Sequence, residues 1–84
     1  MKPTQSEIYQ CAVKRGKVTP QTTKKQFLEA IASELLELAD ANSHNQDYEL
    51  ADIVLVCYSH AEHHGIDLDT AIEIKHQYNL TRKD

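Results

Sequence analysis

The sequence predicts an all-α fold, a four-helix bundle, and three observations carry that expectation. Two glycines and two prolines in 84 residues supply too few turns for a many-stranded sheet. Apolar residues recur three and four apart along most of the chain, the period of an amphipathic helix. The β-branched run "DIVLV" meets no second strand candidate with which to pair, so it too reads as helix.

Each helix has its own signals. Thr4 followed by Glu7 reads as a capping box, Ile8, Cys11 and Ala12 keep helical spacing, and Gly16 offers a stop, which gives a first helix of about three turns. In "KVTP", Thr19 reads as an N-cap and Pro20 as the first residue of a long second helix reaching about Ala41. Its apolar stripe is Phe27, Leu28, Ile31, Leu35 and Leu38, while Lys24, Lys25, Glu29, Ser33 and Asp40 face water.

"NSHNQD" has turn chemistry and no apolar residue, so it reads as a loop between antiparallel neighbours, with Asp47 capping the third helix. Leu50, Ile53, Val54, Leu55, Val56 and Cys57 leave that helix no wide polar face in its first half, which predicts the central, most buried helix. Gly65 ends it, Asp67 caps the fourth, and Leu68, Ala71, Ile72, Lys75 and Tyr78 carry the fourth helix to the C-terminal "RKD".

At this length residues 1–84 form one domain, and a chain so short buries a limited fraction of its surface alone, so a partner subunit is expected. The formal charge of -4, from 13 acidic and 9 basic residues, argues against a binder of nucleic-acid polymers held by counterion release. Cys11 and Cys57 lack CxxC spacing and lie in apolar helical patterns, as reduced thiols of a cytoplasmic protein do. No stretch resembles a signal peptide or approaches the ~20 apolar residues of a membrane span.

The chemistry concentrates in two acidic pairs, Glu34/Glu37 and Glu49/Asp52. Residues three apart on a helix project from one face, so each pair sets two like charges side by side, close to an apolar stripe. Burying such carboxylates uncompensated is costly and drives their pKa values upward, so either the pairs face water or something cationic holds them. Arginine or lysine serves that purpose, but Mg²⁺ suits it better, because a hard ion takes carboxylate oxygens and keeps waters that meet phosphate. On spacing alone E-x-x-E is also common on solvated helices.

"SELLEL", then "ELAD" with "IVLVCYSHAEHHGIDLDTAIEIKHQYNLTR" behind it, resembles the MazG-like all-α nucleoside triphosphate pyrophosphohydrolases over about residues 27 to 82. The corresponding motifs are Ser33-Glu34-x-x-Glu37, Glu49-x-x-Asp52, Gly65-Ile66-Asp67-Leu68, and Lys75, Asn79 and Arg82 on the last helix. The resemblance implies that Glu34, Glu37, Glu49 and Asp52 bind Mg²⁺, with Mn²⁺ as a substitute, and that a nucleoside or deoxynucleoside triphosphate is cut to the monophosphate and pyrophosphate. It implies that Lys75, Asn79 and Arg82 contact the nucleotide, and that the protein is a homodimer or homotetramer.

Ser33 departs from the family's first glutamate, the connection between Glu37 and Glu49 is short, and the chain has no tryptophan, which removes base stacking of the kind some members use. A same-class alternative is phosphoribosyl-ATP pyrophosphatase, with similar acidic motifs; Lys75, Asn79 and Arg82 favour the MazG-like side. The different-class alternative is a nucleotide-binding or helical interaction module without turnover. His60 and His64 stand four apart, a spacing that also binds zinc, but a cluster at a helix C-terminus is commonly only solvated.

Overall fold

Four helices follow one another with no strand among the described residues, 1–41 and 44–83 of the computed structural model: α1 (Gln5–Lys14), α2 (Lys24–Asp40), α3 (Gln46–His63) and α4 (Leu68–Thr81). Local chemistry explains most of their ends. At α1 the Thr4 hydroxyl accepts from the Glu7 N–H while the Glu7 carboxylate accepts from the Thr4 N–H, the expected capping box. Gly16 and Gly65 close α1 and α3 with φ of 75° and 70°, where a side chain would strain the backbone. Asp67 caps α4 by accepting from the Thr70 N–H and hydroxyl, and these bonds hold its carboxyl below the usual range.

Two caps differ from expectation. Thr19 and Pro20 do not open α2, because the Thr19 N–H donates to the Thr22 hydroxyl and the Thr22 N–H to the Thr19 carbonyl, closing a turn ahead of the helix. The helix begins at Lys24 with Thr23 as N-cap and Gln26 completing a second capping box. Asn45 rather than Asp47 is the N-cap of α3, and Asp47 lies in the first turn, its carboxylate accepting from the Tyr48 N–H. Asn42 and Ser43 of the expected loop lie outside the described residues.

α3 is the element on which the other three pack, as its apolar make-up predicts. Its expected burial is not met within the protomer, however: Leu50, Val54 and Leu55 are about half exposed, and the buried residues are Ser59 and Ala61 further along. α2 is treated alike, with Phe27 buried and Leu28 and Leu35 half exposed. The physical reason is that α3 has more apolar perimeter than the neighbours of one short chain can cover.

The core that exists lies where α1 and α2 meet the end of α3. Phe27, 3 % exposed, packs against the rings of His60 and His63 with centroids 5.1 Å away and against His64 at 6.0 Å. The Tyr9 hydroxyl is 2.7 Å from His63 Nδ1. Burial, then the charges of His64, Lys24 and His63, hold the His60 pKa below its ordinary value. His60 and His63 are thus half-buried aromatic packing for Phe27, while His64 at the end of α3 is exposed. Cys11 and Cys57 are unbridged, but Cys11 is exposed rather than packed.

The Gln5 side chain fastens the corner by donating to Glu62 and the Ile66 carbonyl and accepting from the Leu68 N–H. Beyond Leu68 every residue of α4 is exposed, including Ile72, Ile74, Tyr78 and Leu80. The radius of gyration, 14.3 Å, exceeds the roughly 12 Å of a compact chain of this length. No helix among the described residues is long and apolar enough to cross a membrane.

Candidate active site

The antiparallel pairing of α2 and α3 sets Glu34 and Glu37 against Glu49 and Asp52. Glu34, Glu49 and Asp52 each place a carboxylate oxygen within 4.8 Å of the others. Glu37 hydrogen-bonds Glu34 and stands beside this group rather than in it. Glu34 and Glu49 are half-buried, and one carboxylate oxygen of each is buried with no hydrogen-bond partner among the described residues.

The electrostatics follow from this crowding. Burial, the hydrogen bond to Glu37, and the charges of Glu37, Asp52 and Glu49 push the Glu34 carboxyl up to about 7. Burial, then Glu37 and Asp52, raises Glu49 as well. Unpartnered buried acceptors among like charges are what a cation relieves, and an all-oxygen donor set of carboxylates fits a hard divalent ion. The donor set present therefore fits Mg²⁺ or Mn²⁺.

Glu34 and Asp52 also line a cavity of about 690 Å³ between α1, α2 and α3, within the size range of small-molecule sites. Ile8, Cys11 and Ala12 of α1, Phe27 and Ala30 of α2, and Leu55 and Val56 of α3 make its wall largely apolar. Gln26, Ser33 and Ser59 supply hydrogen-bonding groups, and Arg15 and Lys17 supply cations. Such a space, with carboxylates in its wall, suits a ligand that is part apolar ring and part polyanion held through metal.

Lys75, Asn79 and Arg82 are placed elsewhere. Lys75 and Asn79 line a shallow depression formed along α4 with Ile72 and His76, apart from the cavity. The Lys75 ammonium lies 4.6 Å from the centre of the Tyr78 ring, and Arg82 donates to the Asn79 side chain. The protomer thus brings three of the four acids into one group and leaves the α4 residues at a distance from the cavity lining.

Arg15, Lys17, Gln26 and Ser59 were not singled out by sequence reasoning. A cation at a helix C-terminus reads as a dipole effect, and a serine in an apolar helix carries no motif, so only the packing of α1 over α2 and α3 marks them.

The sequence profile of the phosphoribosyl-ATP pyrophosphohydrolase family matches residues 3–79, which include all four acids, Lys75 and Asn79. No curated protein and no solved structure matches the chain.

Proposed function

Because the chain belongs to the phosphoribosyl-ATP pyrophosphohydrolase family, we propose that it is a metal-dependent hydrolase that cuts a triphosphate-bearing nucleotide between the α- and β-phosphates, leaving the monophosphate and pyrophosphate. The observation that carries this reading is the group of Glu34, Glu49 and Asp52 oxygens within 4.8 Å, set beside a largely apolar cavity. A bound Mg²⁺ or Mn²⁺ supplies polarisation of phosphoryl oxygens and a water of lowered pKa. Glu34, Glu49 and Asp52 would hold the metal. Glu37, outside that group and hydrogen-bonded to Glu34, is the carboxylate left to orient the attacking water or accept its proton. The wall from Ile8 to Val56 receives the nucleoside and keeps bulk water from it.

Two substrates share this chemistry, each with an observation in its favour. The family match favours phosphoribosyl-ATP. The Lys75, Asn79 and Arg82 pattern favours a simple nucleoside or deoxynucleoside triphosphate. With Mg²⁺ and a panel holding phosphoribosyl-ATP, NTPs and dNTPs, the protein is expected to release pyrophosphate and a monophosphate from at least one. Orthophosphate as the first product contradicts the reading. Thermal stabilisation by nucleotides without any hydrolysis assigns the chain to the non-catalytic binding modules instead.

The working unit is at least a homodimer. The chain exposes 6746 Å², against roughly 5,100 Å² for a compact monomer of its mass, and the excess is about twice the share that each partner buries in a standard protein interface. Ile72, Ile74, Tyr78 and Leu80 on α4, with Leu28, Leu35, Leu50 and Val54, supply the apolar surface for it. Light scattering is expected to give at least twice 9.6 kDa, and Ile74→Glu, which sets a charge on this surface, is expected to lower that mass. A wild-type mass near 9.6 kDa at working concentration counts against the assembly.

A further inference from the structure

The cavity carries two positive charges that neither the metal-binding acids nor α4 account for. Arg15 and Lys17 are the Lys and Arg residues that line it, together with the acids Glu7, Glu34 and Asp52. Lys75, to which the family resemblance assigns a nucleotide contact, lies in the separate depression on α4.

The segment that holds Arg15 and Lys17 is built rather than loose. Gly16 turns the chain out of α1 at φ 75°, its N–H donating to the Val13 carbonyl and that of Lys17 to the Ala12 carbonyl at 2.9 Å. Val18, 5 % exposed, anchors the next position, and the Thr19–Thr22 turn follows at once. A helix dipole favours a cation at Lys14 or Arg15 in the last turn, but Lys17 lies beyond that turn and still faces the cavity. A polyphosphate entering a chain of net charge -4, whose metal-binding groups are themselves acids, needs cations from the protein. A guanidinium forks onto phosphate oxygens and an ammonium serves as a point charge.

We propose that Arg15 and Lys17 form the phosphate-contacting edge of this cavity and hold the pyrophosphate end of the substrate, an inference that rests on the pyrophosphohydrolase reading above. The test is calorimetric titration of the full-length protein with inorganic pyrophosphate in the presence of Mg²⁺, alongside steady-state kinetics on whichever nucleotide is turned over. Arg15→Gln and Lys17→Gln are each expected to weaken pyrophosphate binding and raise KM by roughly tenfold, with kcat within about twofold. Lys14→Gln removes a cation from the same helix end but not from the cavity lining, and is expected to change neither. All three positions are exposed, so the helical content and melting temperature of the variants serve as folding controls.

Equal pyrophosphate affinity in wild type and the Arg15→Gln/Lys17→Gln double variant overturns the proposal, as does an equal loss in Lys14→Gln or no binding by wild type. If wild type hydrolyses no nucleotide, the catalytic reading fails separately. The titration then still decides for Arg15 and Lys17, since binding lost only with these two supports the anion site.

Discussion

Glu34→Gln is expected to lower pyrophosphate release by more than about a hundredfold while making the metal-free protein more stable at pH 8. Both effects come from one crowded carboxyl group. In the folded protein Glu34 is pushed up to about 7 by burial, by its hydrogen bond to Glu37 and by the neighbouring acids, against an ordinary value of 4.5. Between those values the folded state holds more protons than the unfolded state. The contribution of Glu34 to the stability of the metal-free protein therefore falls as pH rises through that window and is largest on its acid side.

Glutamine is neutral throughout, so the variant is expected to lose Glu34's share of this pH dependence and keep the smaller share of the same sign that the raised Glu49 contributes. A bound divalent ion competes with the same protons, so metal affinity in the wild type is expected to fall as pH drops below about 7. Melting curves from pH 5 to 8, with and without Mg²⁺, read both effects. A variant less stable than wild type at pH 8, with activity retained, would show Glu34 to be an ordinary solvated acid. Asp52→Ala is expected to remove activity as well, since it deletes one of the three grouped carboxylates.

The largest expected effect on stability lies at the opposite end of α2. Phe27→Ala is expected to cost about 3–5 kcal/mol, because the ring is 3 % exposed and its removal opens a void among His60, His63 and His64. Total stability at this size is of order 4–13 kcal/mol, so such a loss removes a large share of it. Phe27→Leu keeps more of the volume and is expected to cost markedly less. Urea unfolding at fixed protein concentration measures both, the concentration being held because any assembly contributes to the midpoint. A Phe27→Ala midpoint within error of wild type would show that the core lies elsewhere.

What the sequence alone determined about this protein is the part governed by contacts within a few residues. The capping box at Thr4 and Glu7, the turns at Gly16 and Gly65, and the Asp67 cap with Thr70 each join groups at most five apart, and each stands as the sequence predicts. The ordered motifs around Glu34, Glu37, Glu49 and Asp52 were legible in the same way, and with them an all-α pyrophosphohydrolase family. The start of α2 shows a local signal outweighed in reading by Thr19-Pro20: Thr23 with Gln26 three residues on has the capping-box spacing that Thr19 lacks, and the hydrogen bonds of the Thr19–Thr22 turn keep Thr19 outside the helix.

Tertiary structure decided what faces what. Apolar periodicity marks Leu50, Val54 and Leu55 as core candidates, but burial depends on which elements lie opposite, and within one protomer they remain exposed. The division of four similar acids into three grouped carboxylates and an adjoining Glu37 arises from the pairing of α2 with α3. The placing of Arg15 and Lys17 on the cavity wall, and of Lys75 and Asn79 away from it, arises from how α1 and α4 leave α3. Helix period fixes the angle of a side chain about its own axis, and only the packing of one axis on another turns that angle into a site.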